Sequence, residues 1–279
     1  TLSITPTAAG TYTYTVSGID GSCTAVSTVV VTVKELPVLN AATASPAVVC
    51  AGAPSTLTAT TSTITSGSVT IGAGAVTTTN NGNSSTTYNS PFSHYYGGYK
   101  AQYLIKASEL AAQNLTAGNI TSLAFDVTTA GITYTGFTMN IAATNATDLT
   151  STFISTGFTQ VFTGNLGVTS TGLKTITFSS PFAWDGTSNV VVQLCWSNNN
   201  SGGTAAEVKV DNTTFVSTAQ YHADSQTPAS ICGTTTASGV LSQRPKMILG
   251  GQIITTGAGG LSYSWQPGGS TGNVISVSP

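Results

Sequence analysis

Charge is what this chain has least of. Seven basic and nine acidic residues stand among 279, 6% of the total, where an average protein carries roughly 25%. The formal charge of −2 removes nucleic acid and anionic lipid as partners, since both are recognised by basic patches. Long apolar runs are missing too. No window approaches the ~18 residues of a membrane-spanning helix, so no membrane insertion is expected. No stretch reads as a charged, apolar, then small-residue leader, so an export or anchoring signal is expected outside these 279 residues. There are only two histidines, His94 and His222, and the four cysteines, Cys23, Cys50, Cys195 and Cys232, stand far apart with no C-x-x-C pair. That is not the spacing of a zinc site. In a Thr-rich chain it points to structural disulfides and an oxidising, extracellular setting.

Thr, Ser, Asn, Gly and Ala fill the gap left by charge. Threonine suits strands, because its branched β-carbon fits a pleated surface and its hydroxyl keeps an outer face wet. A hydrophobic content of 40% and a clear period of two argue against a disordered stalk. Tyr12, Tyr14 and Val16 alternate with Thr11, Thr13 and Thr15; after the turn GIDGS, Val29, Val31 and Val33 alternate with Val30, Thr32 and Lys34. These segments predict a hairpin. Further strands are predicted at AQYLI, SLAFDV, GFTMNIA, TQVFTG, LKTITF, NVVVQLCW, AEVKVD and RPKMIL, and around Tyr263 and Trp265, with Trp265 facing a sandwich core. Only KASELAAQNL (106–115) favours a helix, with Ser108 as its N-cap.

Two stretches read alike: LSITP at residues 2–6 and ISVSP at 275–279. If they are equivalent, the chain is one turn of an array with a period of about 270 residues. Residues 1–36 are then the C-terminal strands of a preceding immunoglobulin-like unit, and 37–62 with 253–279 supply the N-terminal and middle strands of the next. Residues 63–252 form an inserted domain, whose eight or more strands predict a jelly-roll-like sandwich. The expected fold is therefore all-β: an immunoglobulin-like sandwich split across a repeat boundary and carrying a jelly-roll-like insertion. Cys195 and Cys232 both lie in the insertion and can pair within one copy. Cys23 and Cys50 are expected to bond to neighbouring repeats, Cys50 with the Cys23 equivalent of the following segment.

The stretches CAGAPSTLTAT, YSWQPGGSTGNVISVSP and AGTYTYTVSG with GSCTAVSTVVVTV resemble the immunoglobulin-like or PKD-like repeats of very large Bacteroidota surface proteins. AQYLIKASELAAQNLTAGNITSLAFDV and TITFSSPFAWDGTSNVVVQLCW resemble a domain found with them, and the giant gliding-motility adhesins of the SprB type share this combination. The resemblance implies a cell-surface filament, export by the type IX system and a role in gliding or attachment. It brings no catalytic motif. Cys23 also departs from antibody-type domains, lying past the Tyr-bearing strand.

Motifs that could carry chemistry have simpler readings. GGSTG (268–272) has the form of a nucleophile elbow, but Pro267 and paired glycines predict a turn with no helix after it. His222 and Asp224 share a strand face and predict a surface hydrogen bond. The loops WDGTSN and VDNTT offer calcium one carboxylate each, which is sparse for that ion, so turns and no cofactor are expected. The strongest candidate for ligand contact is SHYYGGYKAQY, with His94, Tyr95, Tyr96, Tyr99 and Tyr103, because aromatic faces edged by polar groups suit sugar rings. The expected function is a non-enzymatic repeat of an extracellular adhesin or filament, with neighbouring repeats and a surface polysaccharide as partners. The alternative is a carbohydrate-binding module of a secreted multidomain protein.

Overall fold

The computed structural model describes residues 3–5, 10–34, 38–77, 90–256 and 262–279. Leu2, Pro6, Pro37 and Leu261, all within stretches used above, lie outside the described residues. The first strands are β1 (Gly10–Asp20), β2 (Cys23–Val33), β3 (Val38–Ser45), β4 (Ser55–Ile71), β5 (Val76–Thr77) and β6 (Gly98–Ile105). Helix α1 (Ala107–Ala112) precedes β7 (Gly118–Thr129), β8 (Thr133–Thr144), β9 (Thr159–Gly167), β10 (Gly172–Trp184) and β11 (Asn189–Ser197). There follow β12 (Glu207–Asn212), β13 (Thr218–Ala223), α2 (Pro228–Gly233), β14 (Gly239–Leu241), β15 (Gln243–Pro245), β16 (Met247–Thr256) and β17 (Val274–Val277). The fold is all-β and its strand pairs are antiparallel.

The chain divides into two compact units, Thr1–Ile64 with Ile254–Pro279, and Thr65–Ile253. It leaves the smaller unit along β4 and returns along β16. At that crossing Thr63 and Thr255 hydrogen-bond through their hydroxyls at 3.1 Å, so the two ends of the larger unit lie side by side, as a tolerated insertion requires.

The larger unit is a sandwich. One sheet runs β14-β13-β6-β11-β8-β9; the other contains β15-β12-β7-β16, with β10 also on β7 and β5 on β12. The period of two appears directly in the core: Tyr99, Ala101, Tyr103 and Ile105 from β6 and Val190, Val192, Leu194 and Trp196 from β11 meet Leu123, Phe125 and Val127 from β7. Phe92 plugs the middle, its ring 5.4 Å from those of Phe125 and Tyr134. A second, smaller core lies on the outer face of the six-stranded sheet, where Leu104, Ala142, Val191 and Ala219 pack with Leu149 and Phe153. Burial on both faces explains why β6 has no exposed residue.

Helix α1 begins two residues earlier than its sequence implies. The cap is Lys106, not Ser108, because the Glu109 carboxylate reaches back to accept the Lys106 amide at 2.8 Å, while Ser108 stays exposed. Glu109 is also held by the guanidinium of Arg244. The Cys232 segment, read as a loop, is the helix α2, started by Thr227, whose hydroxyl accepts the Ser230 amide at 3.2 Å.

In the smaller unit β4 lies between β3 and β17, and β1 and β2 form a separate two-stranded sheet in one uninterrupted register from Gly10↔Val33 to Asp20↔Cys23. The strand predicted around Tyr263 and Trp265 is not one. Trp265 makes a single bridge to Ser270, its indole donates to the Gly272 carbonyl at 2.8 Å, and it stays half-exposed rather than filling a sandwich core. The glycine-rich turn after it, with Gly268 and Gly269 at positive φ, bends the chain too soon for a central strand.

Candidate functional site

The tyrosine-rich segment is divided by the edge of the sandwich. Beyond Gly98 the chain is β6, between β11 and β13. Tyr99 and Tyr103 therefore point into the core and are 0% exposed. The Tyr99 hydroxyl donates to Gln220 Oε1 at 2.9 Å, and burial pushes both phenols well above the ordinary range. His94 is also internal, edge-on to Tyr134 and tilted against Trp196, with its Nε2 3.4 Å from Asn200 Oδ1. None of these three can touch a ligand without the core opening, which corrects the expectation for them. Tyr95 and Tyr96 remain.

They belong to a corner built by three loops. Tyr95 is 42% exposed and lies edge-on to Tyr96, with centroids 5.1 Å apart. Tyr96 stacks on His222 from β13 at 4.2 Å and 19°. Asp224 Oδ1 accepts the amides of Gly97 at 2.9 Å and Gly202 at 3.2 Å, tying the β13 end to both other loops. The glycines are required for space: a β-carbon on Gly97 would lie 1.7 Å from the Asn200 carbonyl oxygen, and one on Gly202 1.7 Å from that of Tyr95. His222 and Asp224 stand at one corner in different roles. The imidazole stacks, and the carboxylate organises backbone. Burial lowers the imidazole's pKa and the Asp224 charge partly opposes that.

The part of this corner open to contact is the Tyr95 ring, 42% exposed, an aromatic surface of the kind that meets other rings or apolar edges. Sequence reasoning found the tyrosines but missed the partner loops. Their signal was the paired glycines, Gly97-Gly98 and Gly202-Gly203: at Gly97 and Gly202 another backbone passes too closely for any side chain, and at Gly98 and Gly203 the side chains of Ile231 and His94 fill the space.

The remaining candidates have structural roles. Cys195 and Cys232 are bonded, joining β11 to α2. Cys23 and Cys50 are both free and exposed. Beside the bridge Lys100, lowered in pKa by burial, donates to the carbonyls of Cys232 at 2.8 Å and Thr234 at 2.6 Å. It floors a cleft of about 200 Å³ lined by Phe153, Phe158, Gln193 and Thr234. The two acidic loops use their carboxylates locally. Asp185 accepts the amides of Thr187 and Ser188 and the Ser188 hydroxyl, which hold its pKa down to about 2. Asp211 accepts the amides of Ala73 and Gly74. Among the described residues no group of three or more His, Cys, Asp or Glu is placed to hold a metal, and no helix is long and apolar enough to cross a membrane.

No family model matches the chain, and no curated protein matches it. Among solved structures it is similar to the cysteine protease and lectin-like domains of Cwp84, a surface layer associated protein of Clostridium difficile. The TM-score is 0.31 at 9% identity, over 56% of this chain and 32% of that one. This chain thus spans about a third of that chain's length, and a likeness of this degree carries no argument about function.

Proposed function

We propose that this protein is a non-enzymatic extracellular module, a repeat of a long surface adhesin or filament whose larger unit displays a contact surface. The observation that carries the reading is the aromatic corner: Tyr95 open to solvent and Tyr96 stacked on His222, fixed by Asp224 and by two glycines that tolerate no substituent. A pre-organised site loses little entropy on binding. The Cys195–Cys232 bond supports an oxidising setting. The fuller form, a gliding-motility filament exported by the type IX route, rests on the sequence resemblance alone.

A second reading, a carbohydrate-binding module of a secreted multidomain protein, is favoured by the exposed edge of Tyr95, since aromatic faces suit sugar rings. Both readings meet in one experiment: binding of the full chain to a panel of immobilised bacterial and plant polysaccharides, with Tyr95→Ala and Tyr96→Ala beside it. Loss of an aromatic contact weakens affinity by roughly 2- to 10-fold. The expected result is a retained polysaccharide whose binding falls in both variants at unchanged melting temperature. Binding that survives both substitutions moves the contact elsewhere, and no binding to any polysaccharide removes the sugar as partner.

A further inference from the structure

The hairpin β1–β2 has two unlike faces. Its register places Tyr12, Tyr14 and Val16 opposite Val31, Val29 and Ser27 on one side, and Thr11, Thr13 and Thr15 opposite Thr32, Val30 and Thr28 on the other. The first face carries no charge until Asp20 at the tip, yet Val16 is 67% exposed, Val29 58% and Val31 40%. A two-stranded ribbon is marginal in water by itself, and an apolar face of this kind needs a cover.

The sheet β3-β4-β17 has a complementary deficit. Leu57, Ala59 and Thr61 of β4, Ala42 and Ala44 of β3 and Ile275 of β17 share one face by register. Only part of it is covered. Tyr263, whose hydroxyl lies 2.7 Å from that of Thr61, and Trp265 leave a cleft of about 270 Å³ over Leu39, Ala42 and Ala59. Leu39 is 62% exposed, and Leu57 and Ile275 are half-exposed. The ribbon exposes aliphatic side chains on both faces, Ile19, Val26 and Val30 on the threonine-rich one as well, and only the first adds aromatic rings, Tyr12 and Tyr14, stacked 6.4 Å apart; that face and the partly covered face of the three-stranded sheet are the parts of one sandwich.

The order of segments decides which copies they come from. The stretch LSITP resembles the β17 stretch ISVSP and stands directly before the hairpin, whereas β17 itself stands after it. The hairpin therefore belongs with a β17-like strand on its N-terminal side. Resting on the repeat reading proposed above, we infer that the β1–β2 hairpin of one copy lays its Tyr12, Tyr14 and Val29 face over the β3-β4-β17 sheet of a second copy of this chain, the one that precedes it, and completes that copy's sandwich.

The inference corrects one expectation. The Gly52 amide donates to the Pro279 carbonyl at 2.6 Å, so the end of β17 lies at the Cys50 turn. A hairpin that follows such a strand end after a few connecting residues, at most roughly 14 Å of extended chain, starts near Cys50. Cys23 lies ten residue pairs away at the hairpin tip, about 34 Å on. The two thiols are therefore not partners across this contact, since bridged Cα atoms lie within about 7 Å of each other.

The test joins two full chains head to tail and places Val29→Lys in one copy at a time. In a single chain the substitution is neutral, because Val29 is already exposed. In the second copy of the tandem it puts a charge under the apolar seam and lowers the melting temperature of the smaller unit by about 5–10 °C; in the first copy it does nothing. Equal loss from both positions would mean that each hairpin folds onto its own chain. No loss from either would mean that the hairpin packs on nothing. Either result overturns the inference, as does a Cys50–Cys23 bridge found between the two copies by peptide mapping.

Discussion

Replacing Cys195 and Cys232 together by Ala tests how much of the larger unit's stability its bridge supplies. The bond spans 37 residues, and removing loop closure of that length from the unfolded chain costs about 4 kcal/mol at 25 °C. For a unit the size of Thr65–Ile253, each kcal/mol moves the midpoint by roughly 2–4 °C, so the loss is about 8–16 °C. The folded state should barely change. Ile231, 1% exposed, and the two carbonyl contacts of Lys100 hold α2 in place without the bond. The assay is near-ultraviolet circular dichroism during heating, which reports Trp184 and Trp196, both in the core of this unit. The expected variant has a native spectrum at 20 °C and an early melt, reproduced by reducing the unmodified chain. A midpoint within about 2 °C of the oxidised protein would refute the chain-entropy reasoning. An altered spectrum at 20 °C would show that the bond shapes the folded state.

Glu109→Gln should cost more than a surface charge normally does, since Arg244 has only 3% of its side chain exposed while Glu109 both pairs with it and caps α1. Leaving a buried guanidinium unpaired costs about 3–5 kcal/mol, somewhat less with the carboxylate 31% exposed; urea titration measures it, and a loss under about 1 kcal/mol would contradict the pairing. Acid should weaken the larger unit through His222. Burial holds its pKa below 6.5, so the unfolded chain binds the proton more readily, and the contribution is complete above pH 6.5 and lost as pH falls below it. Melting between pH 7.5 and 5 checks this against His222→Gln, which should flatten the dependence; a His222 titration above 6.5 would reverse the sign.

Strand content was legible because period two maps directly onto burial. Leu123, Phe125 and Val127, and Phe137, Met139 and Ile141, are core residues as their alternation implies. Burial on two faces was not legible. Lys100 and Gln102 alternate with Tyr99, Ala101 and Tyr103 like the wet face of an edge hairpin, yet both are buried, because Lys100 takes carbonyls of the α2 region and Gln102 clamps the Ile154 backbone in both directions. Polar side chains that bind loop backbone draw a second layer over a sheet, and nothing local in a sequence separates them from polar side chains that meet water. The aromatic corner was half legible for a related reason. Tyr95 and Tyr96 stand together in the sequence, but His222 and Asp224 join them only through pairing of β13 with β6.

The Thr63–Thr255 crossing also has a mechanical meaning. A pull along the smaller unit enters β4 and can leave through β16 at that point, without travelling through the 65–253 segment. The Cys195–Cys232 bond lies inside that bypassed segment, so its work is against heat and reduction of the larger unit and not against a pull on these two strands.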